Sequence, residues 1–326
     1  MKQQIYDMRI VDDNLNDLPE NLDYFFLVAG VDNRAYKVLR DLKNSEVVIK
    51  HIIVIDFIER RNGDRKYLAE YYQYKTIFTN IITVDANIHE SSKFVKDISS
   101  RGFHFEKTSK IGVDISCFTK PYIFSFFKFI QKGIQVDSIY VFYTEPKSYR
   151  FENGFCKTYK SSKGPIRVEE LPSYTGYNLP DRDRLLVVLL GFDGDLSKEI
   201  NEEISPKKTV LINGFPGYSP KFKDISLINN ELLINNPNNI VKYCKANNPF
   251  EVYNTLDKLC TEYSKENDFF VNVAPIGSKP MALGVCLYAI HNPFIRIIYP
   301  MPENYNNDST TSEIWHSLMY IIPLTL

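Results

Sequence analysis

The stretch Phe269-Phe-Val-Asn-Val-Ala-Pro275-Ile-Gly277-Ser278-Lys279-Pro280-Met-Ala-Leu-Gly284 decides the reading of this chain. An apolar run of strand length meets a turn, and the turn opens a helix. Continuous apolar strands followed by helices belong to parallel sheets covered on both faces. The turn has the chemistry of a helix start. Gly277 permits close backbone approach, Ser278 is an N-cap type, and Pro280 suits the first helical turn. Unpaired N–H groups at such a start favour an anion, and Lys279 adds positive charge. Ala282 and Gly284 predict tight packing of the helix on the sheet. An ordinary capped helix accounts for the same residues equally well, so both readings stand at this point.

Outward from this stretch, the same order of elements occurs twice. Tyr24-Phe-Phe-Leu-Val-Ala-Gly30 matches Arg184-Leu-Leu-Val-Val-Leu-Leu-Gly191. Gly30-Val-Asp32 is echoed by Gly191-Phe-Asp193, and the strand ending at Asp56 by Thr209-Val-Leu-Ile-Asn213. Lys110 to Ile115, followed by Ser116-Cys-Phe-Thr119-Lys120-Pro121, matches the opening stretch. Ser138 to Thr144 matches Ile295 to Tyr299, and Pro146-Lys-Ser-Tyr149 matches Pro302-Glu-Asn-Tyr305. The matches keep their order at an offset of about 160 residues, the mark of an internal duplication. The fold class predicted is α/β: two tandem Rossmann-like parallel-sheet halves related by that duplication.

The halves are drawn at 1–150 and 184–326. Residues 151–183 between them are rich in Gly, Ser, Lys and Pro and read as an exposed connection or a hairpin at the join. The Asn-rich stretch 229–248 reads as a surface excursion with short helical pieces, and Pro249 to Tyr263 as an amphipathic helix. Tyr122 to Ile130 is too short for a membrane span, carries Lys128, and reads as a buried helix.

Bulk properties fit this frame. The 326 residues are 44 % hydrophobic and include 22 Tyr and 22 Phe, enough to build two cores. A formal net charge of −1 argues against a surface made for duplex DNA or anionic membrane. Cys117, Cys156, Cys244, Cys260 and Cys286 are scattered and form no CxxC pair, which predicts reduced, mostly buried thiols in a cytoplasmic protein. His51, His89, His104, His291 and His316 add no zinc-ligand cluster, so no metal and no resident cofactor are expected. The start MKQQIYDMRIVDDN lacks the apolar core of a signal peptide.

Candidate ligand-binding residues cluster where strands end. They are Gly30, Asp32, Asn33 and Arg34 after the first strand, with Gly191 and Asp193 as their counterparts. Asp56 and Asn213 end the second strands, where a Rossmann-like sheet meets a ribose hydroxyl. Ser116, Thr119 and Lys120 correspond to Gly277, Ser278 and Lys279. Tyr143, Glu145, Tyr299 and Glu303 end later strands and are of the kind that stack on a base or hydrogen-bond to it. Helix capping accounts equally for Asp32 and Asp193, and a solvated loop for Asp56. No GxGxxG, Walker A, GxSxG, HExxH or kinase signature is present.

The turn Gly277-Ser278-Lys279-Pro280-Met281-Ala282 resembles that of CARF domains, the CRISPR-associated Rossmann-like sensors. A chain with two such halves also resembles the SAVED domains of cyclic-nucleotide antiphage systems, which look like fused CARF pairs. The resemblance implies a cyclic oligonucleotide ligand bound between the two halves, a place in bacterial antiviral defence, and an effector. Little chain remains for a built-in effector and no Arg-x4-6-His ribonuclease motif occurs, so the expectation is either a separate effector protein or one half that has acquired activity. Ser116-Cys-Phe-Thr119 lacks the Gly before its hydroxyl residue, which predicts an asymmetric site. Two other readings stand beside this one. One is an enzyme on a nucleotide or phosphorylated small molecule, with Asp32, Asp56 and Asp193 as acid/base or metal-binding groups. The other is an interaction subunit of a larger complex.

Overall fold

The computed structural model describes residues 7–10, 18–30, 32–61, 65–103, 105–133, 136, 138–149, 161–177, 181–266, 269–305 and 311–323. The chain divides into two compact units, residues 1–149 with 310–326 and residues 150–309.

The first unit opens with strands β1 (Asp7–Ile10) and β2 (Asn21–Val28), helix α1 (Lys37–Asn44) and β3 (Val48–Phe57). It continues through α2 (Ile58–Arg61), α3 (Arg65–Ile77), β4 (Ile81–Ala86), α4 (Ser91–Ser100), β5 (Ile111–Asp114), α5 (Lys120–Gly133) and β6 (Ser138–Tyr149). The second unit contains β7 (Ser162–Thr175), β8 (Arg184–Leu189), α6 (Gly194–Ile204), β9 (Lys208–Gly214), α7 (Pro220–Asn229) and α8 (Glu231–Ile234). After these come β10 (Ile240–Cys244), α9 (Pro249–Glu266), β11 (Phe270–Pro275), α10 (Lys279–His291) and β12 (Arg296–Tyr305). The chain then returns to the first unit as β13 (Thr311–Pro323).

The sheet orders are β1-β13-β6-β5-β2-β3-β4 and β10-β9-β8-β11-β12-β7. In each, five strands run parallel in one sequence, β6-β5-β2-β3-β4 and β12-β11-β8-β9-β10. One antiparallel strand then flanks the end, β13 on β6 and β7 on β12. These are the two tandem Rossmann-like halves read from the sequence. The apolar runs lie in the middle of both sheets: Phe25 to Val28 and Leu185 to Leu189 are each 1 % exposed or less. Burial on both faces makes such strands apolar throughout.

The flanking strands are exchanged. The strand that follows β6 in sequence pairs with β12, and the strand that follows β12 pairs with β6. So residues 151–183, expected as a connection, supply the edge strand β7. Residues 310–326, expected in the second half, belong to the first unit. The cause is local: β7 is exposed over most of its length and carries Lys163, Arg167, Glu169 and Glu170, as an edge strand does, so its sequence lacks an apolar run. The Asn-rich stretch 229–248 likewise holds β10, an edge strand of mostly half-buried residues, and the short helix α8.

The cores differ in kind. The first unit packs Phe25 on Phe142, Phe26 on Phe126, and Tyr122 on Phe57 and Phe94 edge to face, with ring centroids from 4.9 to 5.9 Å apart. The second buries an aliphatic cluster around Leu186, Val188, Ile200, Leu211 and Ile298. The 122–130 segment lies in α5, with every residue buried except Lys128. Gly284 of α10 faces Pro249 and Val252 of α9, so the small residue admits helix against helix rather than the expected helix against sheet. Cys117, Cys244, Cys260 and Cys286 are buried and in no disulfide, while Cys156 lies outside the described residues.

Candidate functional site

In each unit, the strand order reverses around the first parallel strand. From β2 the chain moves to β3 on one side and later to β5 on the other, and β8 stands in the same relation to β9 and β11. Ligands of open parallel sheets bind at such a switch point, beyond the carboxyl ends of the strands. The loops there are 29–36 and 115–119 in the first unit, and 190–193 and 276–278 in the second. These loops carry most of the candidate residues.

The second unit closes its loops on themselves. A Cβ on Gly191 would stand 2.6 Å from the Ile276 carbonyl oxygen, so the two loops touch backbone to backbone. The Gly191 carbonyl accepts from Ser226 Oγ at 3.1 Å and Asn230 Nδ2 at 2.9 Å, and Asn229 Nδ2 donates to the Phe192 carbonyl at 2.7 Å. Ser278 caps α10: its Oγ accepts the Met281 N–H at 3.2 Å and donates to the Ala246 carbonyl. Asn213 is 1 % exposed and its Nδ2 donates to the Lys223 carbonyl at 3.2 Å. Lys279 is half-buried at the helix start, and Gly277 is buried.

The first unit is less complete. Ser116 is 0 % exposed; its Oγ accepts the Thr144 N–H at 2.8 Å and its N–H donates to Asp114 Oδ1 at 2.9 Å. That residue ties the turn to β6 and to its own strand end. Thr119 stands at the cap position of α5, where its carbonyl accepts the Ile123 N–H at 3.1 Å. Its hydroxyl is buried without a hydrogen-bond partner. Lys120 is half-buried, Gly30 is buried, Asn33 is exposed, and Asp56 is 1 % exposed.

A residue that sequence reasoning missed stands among these. Tyr36, just before α1, is 4 % exposed and stacks on Tyr74 with centroids 3.8 Å apart. Its hydroxyl is buried beside Cys117 and Asp56 and meets the Gly30 backbone. Burial first, then Cys117 and Asp56, hold it far above its ordinary range, so it stays a protonated donor. Nothing in the local pattern marks it, because a Tyr in an apolar helical face reads as packing.

The two aspartates share one task. Asp32 accepts the Arg34 N–H at 3.0 Å, and its carboxylate takes Arg34 Nε and Nη2 at 2.9 Å each. Its Oδ2 also accepts the N–H and hydroxyl of Thr311 at 3.3 and 3.1 Å. Burial works against the Arg34 charge, but Asp32 and Tyr149 outweigh it and raise its pKa. Asp193 sits at the cap position of α6 without capping it. Its Oδ2 instead accepts both backbone and hydroxyl donors of Ser161 and Ser162, between 2.7 and 3.1 Å. Thr311 begins β13 and Ser162 begins β7. Each aspartate therefore pins the first residue of the exchanged strand. Tyr143 and Tyr299 are buried, Glu145 pairs with His316 at 3.2 Å, and Glu303 is exposed.

No protein-family model and no curated protein matches this chain. Among solved structures it is similar in fold to a Type III CRISPR defence DNA nuclease activated by cyclic oligoadenylate. The TM-score is 0.53 at 9 % identity, over 86 % of this chain and 65 % of the nuclease chain. The chain thus spans less than two thirds of that neighbour's length. The cytoplasmic domain of a prokaryotic cation chloride cotransporter also aligns, at a TM-score of 0.26 and 8 % identity, over 90 % of this chain and 98 % of that one. Among the described residues, no helix is long and apolar enough to cross a membrane.

Proposed function

We propose that this protein is a nucleotide-binding sensor or regulator, with a cyclic oligonucleotide as its ligand class. It would act in the cytoplasm in bacterial antiviral defence and signal to a separate effector protein. The observation that carries the reading is the paired hydroxyl-Lys-Pro turn, Thr119-Lys120-Pro121 and Ser278-Lys279-Pro280. Each opens a helix beside the switch point of a parallel sheet. Helix starts there offer N–H groups and a positive dipole end to a phosphate. The fold likeness to a nuclease activated by cyclic oligoadenylate, and the CARF-like motif, support the same class. A ligand with different affinity for two states of the chain would shift their populations, which is all a sensor requires. The enzymatic reading draws no support from Asp32 and Asp193, whose carboxylates hold strand starts.

Thermal denaturation with a panel of linear and cyclic oligonucleotides tests this. A ligand at about a hundred times its Kd adds about 2.7 kcal/mol to the unfolding free energy. We expect a raised midpoint with at least one cyclic member. No shift with any member would count against the reading.

A further inference from the structure

We infer that the Phe215–Tyr243 surface, at the edge of the second unit's sheet, is a stacking platform for single-stranded nucleic acid. This goes beyond the sensor reading and is tested apart from it.

Phe215 follows β9, and Tyr243 lies in the edge strand β10. The two side chains are 50 % and 51 % exposed, and their rings touch edge to face with centroids 6.3 Å apart. Apolar side chains exposed singly are ordinary, but a touching pair of exposed rings offers continuous apolar surface. The backbone beneath them is fixed. The Phe215 N–H donates to the Cys244 carbonyl at 2.7 Å, and the Ala246 N–H to the Pro216 carbonyl at 3.1 Å. These bonds carry the parallel pairing of β9 and β10 past the strand ends. The Tyr218 hydroxyl adds a bond to the Ala246 carbonyl at 2.8 Å. Both rings thus stand on ordered backbone, and a partner that stacks on them pays little for ordering it.

Positive charge surrounds the rings. Lys223 Nζ lies 5.2 Å from the Phe215 ring centroid. The stretches 214–224 and 240–251, which carry the rings, hold Lys221, Lys223, Lys242 and Lys245 against Asp224 and Glu251, in a chain whose net charge is −1. Asp224 and Glu251 reach Lys223 and Lys245 at 3.3 and 3.9 Å, and all four side chains are a third or more exposed. Ion pairs so exposed are weak, and a phosphate can take their lysines over.

This chemistry selects the occupant. Aromatic faces beside lysines fit nucleobases and the phosphates between them. A single strand presents both at once, whereas a duplex covers its base faces by stacking them on one another. The rings lie half open to solvent at a sheet edge, while small ligands are held in concave sites. Two half-exposed rings among lysines also supply far less than the about 800 Å² that a stable protein interface takes from each partner. Every base has a π-face, so the platform should tolerate any sequence.

The experiment is fluorescence anisotropy of the full chain with labelled oligothymidylate and oligouridylate of about twelve residues, a length within the range of single-strand sites. We expect binding that weakens as salt rises. Phe215→Ala and Tyr243→Ala should each lower affinity about tenfold, the loss of one stacked base, while Tyr243→Phe keeps the ring and the affinity. Tyr177→Ala removes another exposed ring of the same unit and should change nothing. These substitutions trim exposed side chains, and level thermal midpoints confirm that the fold is kept. No binding of either oligonucleotide, or binding that Phe215→Ala and Tyr243→Ala leave level, overturns the inference. Cyclic tetra-adenylate that displaces the oligonucleotide and loses affinity in the same two variants would make the rings part of the sensor's own site, and overturns it too. A dimer that Tyr243→Ala disperses, with no oligonucleotide bound, would give the surface to a second copy. Cyclic tetra-adenylate that binds both ring variants as it binds the parent leaves the sensor reading standing whatever the linear strands do.

Discussion

Thr119 and Ser278 occupy the same place in two copies of one design, yet their hydroxyls do different work. Ser278 is bonded on both sides, to Met281 and Ala246, while Thr119 has no partner. The difference continues around each switch point. In the second unit the 190–193 loop meets Ile276 backbone to backbone and is held by Ser226, Asn229 and Asn230, while Asp193 Oδ1 and Asn230 Oδ1 have no partner. In the first, Ser116 ties its turn to β6, and the Thr119 hydroxyl stays unmet. Two frames of one design can thus hold corresponding turns by different bonds. Conserving the motif letters does not conserve the bonds they make.

The most severe way to break the comparison is at the aspartates that pin the exchanged strands. Asp32→Ala leaves Arg34, itself 5 % exposed, as an uncompensated buried guanidinium, and breaking such a pair costs about 3–5 kcal/mol. Asp193→Ala leaves the Ser161 and Ser162 donors without an acceptor but strands no charge, and should cost about 2–3 kcal/mol. Urea unfolding of both variants measures this. If Asp193→Ala proves the more damaging, the counter-charge at Arg34 is not what separates the two anchors.

Much of this architecture was legible in the sequence, and the reason is physical. Parallel strands covered on both faces must be apolar throughout, so β2, β3, β8, β9 and β11 announce themselves. Edge strands face solvent and read as loops, which hid β7 in a Lys- and Gly-rich segment and β10 among asparagines. The exchange of β7 and β13 could not be seen, because pairing partners are not written in local pattern. The candidate site was legible in position but not in state. Thr119 and Ser278 look alike as letters, and only a neighbour from a distant element, Ala246 against Ser278, tells them apart.

A second, smaller test compares Gly194 with the aligned Asn33. A side chain on Gly194 would run into the Asn229 carbonyl, which is backbone and cannot swing aside. Gly194→Ala should therefore destabilise by about 1–3 kcal/mol through overpacking. Asn33 is exposed, and Asn33→Ala should stay within about 0.5 kcal/mol of the parent. Thermal midpoints check both. A tolerated alanine at 194 would mean that the second unit's loops are less firmly closed than their contacts imply.

The smallest expected effect concerns pH and sharpens the contrast between helix pairs. In the second unit, α9 and α10 are joined by Tyr253 and His291, with the Tyr hydroxyl 2.8 Å from His291 Nδ1. In the first, the Tyr122 hydroxyl of α5 donates to the Asn87 carbonyl at 2.6 Å, a bond without a titrating acceptor. Burial lowers the His291 pKa below its ordinary 6.5. In the unfolded chain His291 returns to that ordinary value and takes up a proton sooner as pH falls. The unfolded state then binds more protons than the folded one, so stability drops as pH falls through 6.5, and the loss ends once the folded-state pKa is passed. Above 6.5 the contribution is fully present. Urea midpoints measured from about pH 8 to about pH 5 should decline less in His291→Gln than in the parent, since glutamine can hold Tyr253 without titrating. An equal decline in both would mean that the α9–α10 joint is as indifferent to protons as the Tyr122 bond it is compared with.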